Sequence, residues 1–207
     1  PFVPLESEID QLISGAGRKT GTFLQLLKET GMRAGEAWNV KWRDLDLERN
    51  AVNIAPEKNS NPRQTRISIQ LMAMLNRLPR RYEYVFRNPK IDPLRSMEVF
   101  RRSAARQRRR TSERLENPRI RDITFKTMRH WKATTEYHKT RDILHVMQVL
   151  GHKNIRNTLI YTHLVDFQSD EYVCKVAKTA QEAGTLVEEG FDYVTEMDGV
   201  KLFRKRK

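Results

Sequence analysis

The spacing of apolar residues changes period along this chain, and the change restricts it to a mainly helical fold carrying a small sheet. Ile9, Leu12 and Ile13 recur at helical spacing between Ser7 and Ser14, with Ser7 placed as an N-cap. Phe23, Leu24, Leu26 and Leu27 predict a short buried helix over Thr22–Thr30, stopped by Gly31. Another helix is expected from Arg33 to Val40. Then Leu45 and Leu47, Val52 and Ile54, and Ile67 and Ile69 alternate with polar residues, as half-buried strands do. Asn50 and the stretch Asn59-Ser60-Asn61-Pro62 supply turns. The reading is three short antiparallel strands, with Lys58 at the tip between the second and third.

Helical spacing returns from Leu71 to Leu78, followed by an irregular stretch with a short Tyr84-Val85-Phe86 piece. Met97 to Glu116 reads as an arginine-dense helix in which Arg102, Arg106 and Arg109 share one face. Few acids balance these arginines, so that face is expected to meet phosphates. Thr124–His138 is the next helix, with Met128, Trp131 and Ala133 inside. Asp142–Leu150 follows, ended by Gly151, and Asn154–Thr162 begins a helix with Tyr161 on it or at its end. Asp166–Ala183 is expected to continue helical. From Phe191 to Phe203 the pattern alternates around Asp198-Gly199, a strong hairpin signal. A lone hairpin is marginal in water, so the face of Val194, Val200 and Leu202 should be buried.

Lys plus Arg outnumber Asp plus Glu by 39 to 26, giving a net charge of +13 and a pI near 10.1. Such an excess fits a polyanionic partner, nucleic acid first. No apolar run reaches the roughly eighteen residues of a membrane span. The single cysteine, Cys174, excludes an internal disulfide and fits a cytoplasmic protein. His and Cys show no zinc-finger spacing. Phosphate-cradling glycine loops are absent from the sequence, so neither a metal nor a nucleotide cofactor is expected.

Six residues stand out in order: Arg33, Lys58, Lys126, Arg129, His152 and Tyr161. Each alone has an ordinary explanation as a surface charge, a solvated lysine or a packed aromatic. Together they form a set that could attack a phosphodiester. Thr30-Gly31-Met32-Arg33 with Glu36, then Lys126-Thr127-Met128-Arg129-His130, then Leu150-Gly151-His152 with tyrosine nine residues later, resemble the three boxes of the tyrosine recombinase (integrase) catalytic domain. The resemblance spans roughly residues 2–165; residues 166–207, read above as a helix and hairpin, are expected to be a tail of the same domain. Where the family usually has histidine this chain has Lys126, which resembles archaeal and archaeal-virus integrases. The family's amino-terminal DNA-clamping domain is missing, so a fragment starting at the catalytic domain is expected.

The resemblance implies a mainly α fold with a three-stranded sheet, and DNA cleavage and rejoining through a 3′-phosphotyrosine. Tyr161 would be the nucleophile, and Arg33 and Arg129 the phosphate forks. Lys58 would be the general acid. His152 would bond a phosphoryl oxygen or the tyrosine, and Lys126 would supply charge, or a base if its proton is lost. The partner implied is double-stranded DNA, with a homo-oligomer, a tetramer, assembled on it. Glu36 reads as a structural partner of Arg33, and His130 as a packing residue that buttresses the site. Two other readings remain at this point: a type IB topoisomerase, with nearly the same chemistry, and a non-catalytic DNA-binding relic.

Overall fold

Helix α1 (Glu6–Gly15) leads into α2 (Arg18–Thr30), which supplies the centre of the core. This computed structural model describes residues 2–57, 60–161, 172–197 and 199–206. It divides into two compact units, residues 1–165 and 166–207. Ser7 is not the first cap: α1 starts two residues earlier, where the Leu5 N–H donates to Glu8 Oε2 at 2.8 Å. Phe23 and Leu26 on α2 are completely buried. The Phe23 ring meets those of Trp38, Phe86, Phe100 and Phe125 at centroid distances of 6.0, 5.0, 4.9 and 5.0 Å. Edge contacts of this kind add to the area they remove from water. Gly31 ends α2 at φ 62°, with its N–H on the Leu27 carbonyl, a left-handed cap that glycine adopts without a Cβ penalty. Helix α3 (Ala34–Trp38) follows at once.

The expected sheet is present: β1 (Leu45–Asp46), β2 (Ala51–Ile54) and β3 (Arg63–Arg66), antiparallel in that order. Val52 faces Leu45 on one side and Thr65 on the other. The third strand was expected around Ile67 and Ile69, but β3 is the polar run Arg63–Arg66. As an edge strand it needs no apolar alternation. Ile67 is buried just beyond it, while Ile69 starts α4 (Ile69–Asn76) and is 78% exposed.

Helix α5 (Pro93–Arg114) begins four residues before the expected Met97, with Asp92 accepting the Arg95 N–H and proline at its first position. Met97, Phe100 and Ala104 turn inward. Helix α6 (Phe125–Thr140) buries Met128, Trp131 and Ala133 as expected. Helix α7 (Ile143–Leu150) is capped by Asp142 and ends at Gly151, φ 67°. There the His152 N–H bonds the Met147 carbonyl and the Gly151 N–H that of Gln148, a paired closure that satisfies two terminal carbonyls. A Cβ on Gly151 would also sit 2.7 Å from Arg63 Nη1 and 3.0 Å from the Asn61 carbonyl. The short α8 (Arg156–Leu159) precedes Tyr161.

The second unit has the hairpin that the sequence pattern indicated, but its helix is shorter and later and a strand precedes it. Residues 172–177, expected to be helical, form β4 (Tyr172–Ala177). The helix is α9 (Ala180–Glu188), and β5 (Asp192–Met197) and β6 (Val200–Arg206) make the hairpin. Met197 pairs with Val200, and Gly199 has φ 74°, the positive angle such a turn demands. Asp198 lies outside the described residues. The strand β6 is central, between β4 and β5. This unit encloses Ala177, Leu186, Phe191 and Phe203. The expected apolar face fails at Val194, which is 41% exposed. A bulge between Tyr193 and Thr195 breaks the alternation there.

Candidate active site

Arg33 is the N-cap of α3, so its backbone and side chain face the same carboxylate. Its N–H donates to Glu36 Oε2 at 2.8 Å, and its Nη1 lies 3.5 Å from Glu36 Oε1. The Glu36 carboxylate is fully enclosed and also receives Arg63 Nη2 at 2.8 Å and Ser60 Oγ at 2.7 Å. Burial pushes its pKa up, but the Arg63 hydrogen bond and charge, with the Arg33 and Ser60 bonds, outweigh this and leave it lowered. Arg63 reaches further, donating Nε–H to the Val149 carbonyl at 2.9 Å. The Asn61 N–H bonds the Gly151 carbonyl at 2.9 Å. The connection between β2 and β3 is therefore tied to both Arg33 and the chain leading into His152. Lys58, the expected general acid on that connection, lies outside the described residues.

Arg129 projects from α6 between two helix ends. Its Nη1 donates to the Gly31 carbonyl and its Nη2 to the Leu150 carbonyl, both at 2.7 Å. Burial, then the neighbouring charge of Arg33, lowers its pKa to about 10, so it stays charged at neutral pH. Two of the five N–H groups of a guanidinium are held by these carbonyls.

His152 is buried, with Nδ1 2.9 Å from Thr158 Oγ1. Burial, then Arg129, Arg33 and Arg63, depresses its pKa to about 4, so the ring is neutral at pH 7. Tyr161 is 3% exposed. Its hydroxyl lies 3.1 Å from His130 Nδ1, and burial raises its pKa against the opposing pull of Arg129 and Arg33. Lys126 occupies the exposed first turn of α6.

Arg33, Lys126, Arg129, His130 and Tyr161 line one cleft of about 720 Å³. The structure thus brings together four of the six residues singled out, and buries His152 close enough to Arg129 and Arg33 to feel their charge. From α5 the cleft receives Arg101 and Arg108, with Ala104 and Ala105 between them. This differs from the expected face. Arg102 lies 3.5 Å from Glu98, and Arg109 pairs with Glu113 at 2.8 Å. The inward packing of Phe100 and Ala104 sets the helix rotation. Sequence reasoning missed Arg63, Thr158 and the Arg101–Arg108 pair. Arg63 sits in a wholly polar strand that carries no signal, and His152 and Thr158 are six apart, a spacing no helix face brings together. Among the described residues no three His, Cys, Asp or Glu side chains group as metal ligands, and no helix is long and apolar enough to cross a membrane.

Residues 5–167 match the phage integrase family. The chain belongs to that family. Among curated relatives, tyrosine recombinase XerA of Saccharolobus solfataricus is 26% identical over 86% of this chain and 57% of its own. A probable integrase/recombinase of Methanocaldococcus jannaschii is 28% identical over 75% and 49%. The chain therefore spans about half the length of these relatives. Among solved structures, XerA recombinase superposes with a TM-score of 0.62 at 22% identity, over 91% of this chain and 65% of its own. The catalytic domain of bacteriophage HP1 integrase gives 0.56 at 20%, over 80% and 89%. A pre-cleavage complex of XerH recombinase with its difH substrate gives 0.62 at 21%, over 81% and 52%. These likenesses establish the fold: a mainly helical tyrosine recombinase catalytic domain with small antiparallel sheets.

Proposed function

We propose that this chain is the catalytic part of a site-specific DNA recombinase that cuts and rejoins DNA through a 3′-phosphotyrosine. The observation that carries the reading is the convergence of Arg33, Lys126, Arg129 and Tyr161 on one cleft, a nucleophile beside fixed cations. Tyr161 Oη would bond to phosphorus as the bond from phosphorus to O5′ breaks. Charge then grows on the non-bridging oxygens, and Arg33 and Arg129 offer planar, permanently charged forks to it. His152, neutral at pH 7, adds a ring nitrogen. In this reading Lys58 protonates the departing O5′, and the reverse steps rejoin the strand. The covalent link conserves the bond, so no energy source is consumed.

The DNA partner is supported by charge and by relatives. Residues 166–207 hold 7 of the 39 basic and 9 of the 26 acidic residues, so the whole basic excess belongs to the unit carrying the cleft. XerH, of like fold, was solved with its DNA substrate. Exchange between two duplexes breaks four strands and needs four tyrosines, which favours a tetramer on DNA.

The test uses a pool of nicked duplexes of random sequence, in which the short fragment released by cleavage diffuses away and traps the adduct. Wild-type chain should form a covalent adduct at a DNA 3′ end, and sequencing it gives the target. Tyr161→Phe should form none yet bind DNA nearly as well. An adduct surviving in Tyr161→Phe, or linked to a 5′ end, overturns the reading.

A further inference from the structure

Tyr161 must lose a proton to attack, and its surroundings make that harder. The hydroxyl is buried, and burial raises its pKa. The two arginines offset this only in part, so a proton acceptor within hydrogen-bond reach of Oη is needed. Lys126, which stands where the family usually has histidine, does not supply one: an ammonium donates three hydrogen bonds and accepts none. His152 Nδ1 is engaged with Thr158 Oγ1 at 2.9 Å.

We infer that His130 is a catalytic residue, the general base that takes the Tyr161 proton. Its Nδ1 lies 3.1 Å from Tyr161 Oη, and it lines the same cleft. It follows Arg129 on α6, so the helix that fixes the phosphate fork also fixes the base. The ring is half-buried beside the tyrosine, with centroids 5.6 Å apart. Burial first, and then charged neighbours, hold it ready to accept. Lys126 and Arg129 on its own helix oppose protonation of the ring. The same cleft is lined by Arg33, Arg101 and Arg108, all cations. Burial acts in the same direction, so the folded ring is neutral at pH 7.

The step balances. As the Oη–phosphorus bond forms and the bond from phosphorus to O5′ breaks, the hydroxyl proton passes to His130 Nδ1, giving an imidazolium. O5′ takes its proton from the general acid. In rejoining, the deprotonated general acid takes back the proton of the attacking 5′-hydroxyl, and the imidazolium returns its proton to the departing Tyr161 oxygen. Lys126, which lines the cleft, then has a distinct part: its charge adds to burial in keeping His130 unprotonated between turnovers.

This inference rests on the proposed function, and the test separates the two. Adduct formation by the 207-residue chain on the nicked-duplex pool is timed across pH for wild type, His130→Gln and His130→Ala. Wild type should hold its rate through neutral pH and lose it only below the ordinary histidine value of 6.5, because the folded pKa is lowered. Both variants should be slower by roughly a hundredfold or more, and should lack that acid limb. Added imidazole should restore part of the His130→Ala rate in proportion to its neutral form, which a packing role would not allow. Rates within about twofold of wild type in both variants overturn the inference, being far below the effect of losing a general base. So does a slow His130→Ala that imidazole leaves unchanged, while Tyr161-dependent adduct still forms in wild type. Absence of any Tyr161-dependent adduct in wild type overturns the functional reading itself. Should His130→Ala unfold, His130→Gln, which keeps a hydrogen-bonding side chain but has no base, decides by its rate and acid limb.

Discussion

Arg63 Nη2 lies 2.8 Å from Glu36 Oε2, joining an edge strand to the helix that carries Arg33. The carboxylate is shut off from water and the arginine nearly so. A buried pair of this kind costs more to break than it contributes whole. Because Arg63 also holds the Val149 carbonyl, it spans the parts of the fold that place Arg33 and His152.

Arg63→Met should therefore destabilise the chain by about 3 kcal/mol, the scale of orphaning one partner of a buried ion pair. Urea unfolding measures it. The folded pKa of Glu36 is lowered from 4.5, so the stability it contributes is present above about pH 4.5 and lost as pH falls through the folded value. Glu36→Gln should flatten that acid loss. A change in Arg63→Met within about 0.5 kcal/mol, the range of ordinary surface substitutions, would show that Arg33 and Ser60 suffice to hold Glu36.

His152 should stay neutral far into acid. Its pKa falls from 6.5 to about 4 on folding. The unfolded chain takes up a proton that the folded chain refuses, so this contribution is whole above about pH 6.5 and erodes between pH 6.5 and 4. Ring nitrogen shifts followed by NMR should show a His152 midpoint near 4, and His152→Asn should remove this part of the acid loss. A midpoint near 6.5 would contradict the site's electrostatics.

The two arginines should respond differently to lysine. Arg33→Lys and Arg129→Lys should each slow adduct formation roughly a hundredfold or more, as loss of a preorganised donor does. Arg33 is partly exposed, and its replacement should change stability by less than about 1 kcal/mol. Arg129→Lys cannot hold the Gly31 and Leu150 carbonyls with one fork, and should cost about 1–3 kcal/mol for a carbonyl left unpaired. Equal thermal stability in the two variants would count against the bridging role.

On α5, the cleft-lining pair should govern salt dependence. Neutralising Arg101 and Arg108 should flatten the plot of log affinity against log salt by about 0.9 for each phosphate that is no longer neutralised. Neutralising Arg102 and Arg109, which already have acidic partners, should change the slope less. The opposite ranking would put DNA on the outer face of the helix.

What the sequence determined by itself is local. Periodicity located the helices of residues 1–165 and the first two strands, because apolar spacing reports which face each element must bury. Gly31 and Gly151 marked helix ends, because left-handed caps select glycine. The order of Arg33, Lys58, Lys126, Arg129, His152 and Tyr161, with their neighbouring residues, pointed to the family that residues 5–167 match. Tertiary structure alone decided which side chains meet. Arg63 reaches Glu36 across 27 positions and Val149 across 86, and no periodicity encodes contacts so distant. The face of α5 turned to the cleft followed from where Phe100 and Ala104 packed, not from where arginines were densest. In residues 172–177 the helical expectation gave way to a strand, because β6 offered backbone partners on that side and strand preference depends on the neighbours available. The contact between His130 and Tyr161 is of the same kind: two ordinary aromatic residues 31 positions apart, brought within 3.1 Å only by the packing of α6 against the turn after α8.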